Sequence, residues 1–126
     1  MSPVVSAFVA HLLAFHIAVP EPVRVEYWPA LRGFEGYKVG RTAEVFSMPD
    51  GTWLVRLDPV EFPRLAPRRQ SWILAHELCH AVWDHDLPVG WEGLPEEEKR
   101  WRHERVNRCA DHAMRQHFRD QTCRRR

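Results

Sequence analysis

The segment His76-Glu77-Leu78-Cys79-His80 contains side chains that can bind a metal ion and activate a water molecule. On a helix, residues four positions apart lie on one face about a turn apart, so His76 and His80 can share one zinc ion. Zinc lowers the pKa of a bound water to about 7, and Glu77 lies beside the first histidine, where it can accept the proton. The spacing therefore predicts His76 and His80 as metal ligands and Glu77 as the catalytic base.

The helix that carries this motif is predicted over residues 68–84, and apolar side chains lie nearly all round it. Such a helix is typical of a buried position. Burying two histidines and a glutamate without partners costs several kcal/mol, which favours a metal site over a chance match on a surface helix. Cys79 points away from the edge that carries His76 and His80, so it is predicted to be a small core residue rather than a ligand.

A catalytic zinc ion usually has three protein ligands and one open position, so a third ligand is needed. The last predicted helix offers His103, which shares a face with Asn107 and continues into the apolar positions Ala110 and Met114. His103 is therefore the predicted third ligand, and Glu104, turned about 100° away, is its chemical rival. Asn107 is interpreted either as a residue that orients a ligating histidine or as an amide buried in the core.

Several other residues are further candidates for roles at the site. Residues 84–86 follow the motif closely and are alternative third ligands, His85 among them. A hydrogen-bond donor for the negative charge that develops on a substrate carbonyl is expected from Tyr37, His85 or His112. The run from Thr52 to Leu57 is predicted to be an edge strand, which either pairs with a substrate backbone or has no such role. Surface positions are predicted for His112 and His117. Packing in the core and loops, rather than contact with a substrate, is predicted for Trp72, Trp83, Trp91 and Trp101.

The elements that must position these residues follow from apolar periodicity and turn signals. The predicted order is a helix at 3–19, a strand at 23–28, a loop at 31–38, β-rich runs at 44–48 and 52–57, a connection at 58–67, the motif helix at 68–84, a loop at 87–94 and a helix from 95 to about 119. Pro49-Asp50-Gly51 predicts a hairpin turn, because its glycine can adopt a positive φ. The predicted fold class is α+β, with a small antiparallel sheet packed on a buried active-site helix and further helices.

The composition limits the class of protein. The 126 residues suit one domain that spans residues 1–126, and a net charge of +1 does not favour a nucleic-acid or membrane partner. The apolar stretch at 3–19 lacks a basic leading region and is short for a membrane span, so we expect a core helix and a cytoplasmic location. Cys79, Cys109 and Cys123 show no framework spacing, which predicts free thiols in a reducing compartment. Ten prolines and a single asparagine favour a thermophilic source, and the preference for arginine over lysine fits either that source or GC-rich coding.

These residues together resemble the pattern of the ImmA/IrrE-type zinc metallopeptidases. Those proteins carry H-E-x-x-H after a stretch similar to Arg69–Ala75, and Val106-Asn107 matches positions in their last helix. In this register the family's glutamate ligand falls on His103, with Glu104 one residue later. The resemblance implies a compact zincin-like domain, a bound zinc ion, a cytoplasmic location, and a substrate such as a repressor or regulator in phage, mobile-element or stress circuits.

The sequence is compatible with three functions. The principal prediction is a zinc-dependent metallopeptidase, a hydrolase that cleaves peptide bonds of a protein or peptide substrate and binds neither nucleic acid nor membrane. The alternative is a non-catalytic zinc-containing regulatory or binding module of the same fold, favoured by the departure at His103. The third is a structural zinc site with four protein ligands that include Cys79, Cys109 or His85.

Overall fold

The computed structural model describes residues 3–19, 21–27, 42–83 and 93–124. Its elements are α1 (Pro3–Phe15), β1 (Val23–Tyr27), β2 (Ala43–Ser47), β3 (Trp53–Leu57), α2 (Glu61–Arg64), α3 (Pro67–Trp83) and α4 (Glu96–Arg124). The predicted α+β class is confirmed, and α2 is a short helix inside the predicted connection. The predicted loop at 31–38 and most of the loop at 87–94 lie outside the described residues.

The hairpin of β2 and β3 forms where the sequence predicts it. Gly51 adopts a φ of +86°, which glycine tolerates because it has no Cβ. Asp50 Oδ1 accepts hydrogen bonds from the backbone nitrogen and the hydroxyl of Thr52, at 3.0 and 2.6 Å. Across the strands, Arg56 pairs with Glu44 at 3.1 Å, and each side chain is 14% exposed. The turn and this cross-strand ion pair favour a single register.

The sheet differs from the antiparallel one that the sequence predicts, because it is mixed. Its strand order is β1-β3-β2, with β2 antiparallel to β3 and β1 parallel to β3. Alternating β-forming residues indicate a strand but specify neither its neighbour nor its direction, so the antiparallel prediction is wrong for β1. The central strand is β3, paired on both sides, so the prediction of an edge strand at Thr52 to Leu57 is also wrong.

The motif helix α3 packs against α4 and the sheet, chiefly against β2. The core around it includes the fully buried side chains of Leu57, Phe62 and Val106, from β3, α2 and α4. Seven residues of α3 are buried: Ile73, Leu74, Ala75, Glu77, Leu78, Cys79 and Ala81. Burial of one large apolar side chain contributes about 1.5–3 kcal/mol, so this burial is the main force that positions the motif. The predicted burial of the motif helix is confirmed.

The first and last helices complete the core. Val9, Leu12 and Ile17 are buried in it, which confirms that the apolar N-terminal stretch is a core element. In the described part of the chain, no helix combines the length and the apolarity needed to cross a membrane. The last helix, α4, begins with three glutamates near the positive end of its dipole, as predicted, and continues beyond its predicted end to Arg124.

Candidate metal centre

Two helices bring three imidazoles together, because α3 carries His76 and His80 while α4 carries His103. One ring nitrogen of each residue lies within 4.8 Å of the others. The ring centroids of His76 and His80 are 4.7 Å apart, and those of His80 and His103 are 5.5 Å apart. The structure thus places the three predicted ligands close enough together to hold one ion.

The separation of the ring nitrogens suits a tetrahedral metal ion. Zn–N bonds of about 2.0–2.1 Å at tetrahedral angles place two ligand nitrogens about 3.3 Å apart. The Nε2 atoms of His76 and His80 are 3.1 Å apart. An N–H···N hydrogen bond gives a similar distance, so the approach of a third nitrogen distinguishes this group from a simple histidine pair. His76 and His80 are half-buried and His103 is exposed, so the group lies at the border of core and surface.

The surroundings of His76 favour its neutral form. Burial, followed by the charges of His80 and His103, lowers the pKa of His76 from 6.5 to about 4, while a hydrogen bond with Asn107 acts in the opposite direction. His76 Nδ1 and Asn107 Oδ1 are both buried. Asn107 can therefore accept from Nδ1–H and leave Nε2 for an ion, as the orienting interpretation requires. A metal binds the neutral imidazole, so the lowered pKa keeps His76 able to bind at neutral pH.

Glu77 is one of two buried charged residues in the described part of the chain, with 9% exposure, and the other is Asp58. The Asp58 carboxylate accepts hydrogen bonds from the backbone nitrogens of Val60 and Glu61, at 2.8 and 2.9 Å. Its burial therefore has a structural cause at the start of α2. Glu77 follows His76 directly and is turned about 100° from it around α3, where a carboxylate can reach a water on a metal without being a ligand.

Two links join α3 to α4 near the histidines. Cys79 and Cys109 form a disulfide, with Cα atoms 6.0 Å apart. Trp72 Nε1 donates a hydrogen bond to Asp111 Oδ1 at 2.8 Å, and the Trp72 ring packs on the ring of His76 with centroids 4.9 Å apart. These links hold α4 in a fixed position relative to the motif helix.

The disulfide overturns the prediction of free thiols for Cys79 and Cys109. Cys79 is fully buried, as predicted for a core residue, but it faces a cysteine 30 positions later in the chain. The only signal in the sequence is that both cysteines fall on inward faces of helices, and the packing of those helices is needed to pair them. Because the two sulfurs are bonded to each other, a structural zinc site that uses these two thiolates does not agree with the structure.

The rival ligands and the predicted oxyanion donors have different outcomes. Glu104 is exposed and does not belong to the histidine group. Residues 84–86 and Tyr37, like Trp91, lie outside the described residues. His112 is exposed, as predicted, but it lies nine positions after His103 on α4. That spacing places it about 13 Å away along the helix axis, too far to contact a substrate atom at the metal.

Two predictions about aromatic side chains need correction. Trp83 and Trp101 are 41% and 44% exposed rather than packed in the core. The Arg105 guanidinium lies 4.5 and 4.9 Å from their ring centroids, so they pack on a cation at the surface. His117 is half-buried rather than at the surface, because the C-terminal part of α4 meets α1 and its ring contacts Phe8 at 5.1 Å.

No protein-family model, curated protein or solved structure matches this chain. The resemblance of the motif to the ImmA/IrrE-type peptidases therefore stays a prediction from the motif residues. The interpretation of the site depends on its own donor set, distances and burial.

Proposed function

We propose that this chain is a zinc-dependent metallopeptidase in which His76, His80 and His103 hold the metal and Glu77 is the catalytic base. The observation that carries the proposal is the convergence of three imidazole nitrogens within 4.8 Å, next to a buried glutamate. Three neutral nitrogen donors favour a borderline cation such as Zn²⁺ over Mg²⁺ or Ca²⁺, which prefer oxygen ligands.

The residues of the site would divide the chemistry of peptide hydrolysis among them. Zinc, when bound, supplies the Lewis acidity that polarises a substrate carbonyl and acidifies water. Glu77 takes a proton from the attacking water and delivers it to the amine nitrogen as the peptide bond breaks. The buried Oδ1 of Asn107 would accept a hydrogen bond from Nδ1 of His76 and so direct Nε2 of that ring toward the metal.

The histidine at position 103 is compatible with this activity. Three histidines with an open fourth position form one of the donor sets of catalytic zinc sites. Compared with a carboxylate, the neutral imidazole of His103 leaves more positive charge on the metal, which favours ionisation of water. A site of this type therefore retains the property on which hydrolysis depends.

The proposed substrate is an extended segment of a protein, and the resemblance of the motif adds the class of repressors and regulators. An extended segment can add to the edge of a sheet through backbone hydrogen bonds. Since β3 is central, the strand suited to this role is β2, which is an edge strand among the described residues and packs against α3.

The decisive experiment compares Glu77→Gln with Glu104→Gln. Both remove one carboxylate, but Glu104 is exposed and outside the histidine group. The zinc-loaded proteins are incubated with a synthetic peptide mixture of random sequence, and cleavage is followed by mass spectrometry. We expect Glu77→Gln to keep one zinc at the site and to lose about 10²–10⁴-fold in cleavage rate, the usual contribution of a general base. Glu104→Gln should keep both properties.

Two results would count against the proposal. Cleavage by the Glu77→Gln protein at the rate of the unaltered chain would remove the assigned base. Zinc binding without cleavage by the unaltered chain would favour the non-catalytic binding module. The presence of His103 at the position of the resembled family's glutamate ligand also favours that alternative.

A further inference from the structure

A second group of three histidines lies at the junction of α1 and α4. His11 is in α1, His16 follows the end of that helix, and His117 lies in the C-terminal half of α4. One ring nitrogen of each lies within 4.8 Å of the others, and the three proposed ligands His76, His80 and His103 meet the same limit. The ring of His11 is 5.2 Å from that of His16 and 5.0 Å from that of His117, measured between centroids.

The second group is well separated from the first. His117 follows His103 by fourteen residues on one continuous helix. At a rise of 1.5 Å per residue, the two groups are about 21 Å apart along α4. One ion therefore cannot serve both groups, and each can be altered without touching the other.

The donors of the second group are suited to a metal ion. His11 Nε2, His16 Nε2 and His117 Nδ1 are each buried from solvent. All three side chains are half-buried, and among the described residues the group includes no carboxylate or thiolate. Imidazole nitrogens of this kind select Zn²⁺, Co²⁺, Ni²⁺ or Cu²⁺ rather than Ca²⁺ or Mg²⁺.

We infer that His11, His16 and His117 form a second transition-metal site, structural in character, which ties α1 to α4. The ion would link a helix near the start of the chain to a helix near its end by three coordinate bonds. Nitrogen donors within 4.8 Å need to approach to about 3.3 Å around a tetrahedral ion. Small rotations of these half-buried imidazoles about their side-chain bonds can supply such a movement.

The test is metal stoichiometry of the full-length chain. Chelator-treated protein is titrated with Co²⁺ alone and with Zn²⁺ alone, and bound metal is measured by mass spectrometry and by the visible spectrum of Co²⁺. We expect two ions per chain, falling to one in His117→Gln and in His11→Gln. The control is His112→Gln, an exposed histidine on the same helix, which should keep two ions.

A complementary variant, His76→Gln/His80→Gln, removes the first group and leaves the second intact. It should bind one ion, and the melting temperature of this variant should rise as Zn²⁺ is added. This variant also keeps the inference testable if His117→Gln does not fold.

The possible results separate the two sites. If the second site does not exist, the unaltered chain binds one ion, His117→Gln still binds one, and His76→Gln/His80→Gln binds none. If only the proposed catalytic site is wrong, the unaltered chain binds one ion and His117→Gln binds none. Equal binding by His117→Gln and His112→Gln would overturn the inference.

Discussion

Breaking the bond between Cys79 and Cys109 should destabilise the chain and loosen the position of the proposed metal centre. The bond joins α3 to α4 across a sequence separation of 30 residues. The perturbation is reduction of the native protein, and the double variant Cys79→Ala/Cys109→Ala provides a second form without the bond. Reduction leaves every other side chain in place, so the change in stability reports chiefly on the cross-link.

The magnitude follows from the length of the closed loop. A cross-link over 30 residues removes conformational entropy from the unfolded chain worth about 3.6 kcal/mol at 25 °C. The entropy of unfolding of a 126-residue chain is about 0.26 kcal/mol per kelvin. The free-energy change divided by this entropy gives a decrease in Tm of about 14 °C for the reduced protein.

The assay is thermal unfolding followed by circular dichroism, with a chelator present, because a bound metal would add its own stabilisation by mass action. The control is Cys123→Ser, since Cys123 is outside the bond and the difference between oxidised and reduced forms should persist. A thiol titration in denaturant should find one thiol before reduction and three after. Oxidised and reduced proteins that melt within about 3 °C of each other, or three thiols before reduction, would refute the reasoning.

Three further predictions concern the histidine site. His103→Ala should weaken zinc binding by more than about 100-fold in calorimetry, whereas Glu104→Ala, outside the histidine group, should leave it nearly unchanged. Asn107→Leu should weaken zinc binding about 10–100-fold with all three donors present, and Asn107→Asp, which retains an acceptor oxygen, should weaken it less. For the metal-free chain, the pKa of His76 is about 4 when folded and near 6.5 when unfolded. The unfolded state therefore binds the proton more readily than the folded state. The free energy of unfolding, measured in urea, should be highest above pH 6.5 and fall by at most about 3 kcal/mol toward pH 4. His76→Asn should make this fall smaller.

Each of these predictions can fail in a distinct way. Equal loss of zinc affinity in His103→Ala and Glu104→Ala would show that His103 is not the particular residue of α4 that binds the metal. Full zinc affinity in Asn107→Leu would show that Asn107 is an amide buried in the core and does not orient His76. Unchanged stability of the metal-free chain between pH 7 and pH 4.5 would mean that His76 is not held neutral by burial.

Local sequence signals were sufficient to predict the motif helix, the hairpin turn and the helix face that carries His103. The apolar residues around His76 and His80 define a buried helix, because only a helix places them on its inward faces. Pro49-Asp50-Gly51 specifies the hairpin turn, since the positive φ at Gly51 is a local requirement. The face shared by His103 and Asn107 also follows from helix geometry alone.

Long-range pairings could not be obtained in this way. The parallel pairing of β1 with β3 depends on how the strands assemble, because a β-forming segment can pair in either direction. The Cys79–Cys109 bond needs two helices to pack side by side across 30 residues of sequence. The position of His117 against α1 depends on where the C-terminal half of α4 lies.

The sequence by itself determined the donor types, their spacing within each helix, and the helices and strands that carry them, because these properties depend on neighbours a few residues away. Only the tertiary structure decided that His103 approaches His76 and His80, that two cysteines are joined, and that a second histidine group forms. Those outcomes depend on burial of apolar surface between distant elements, which has no counterpart in local spacing.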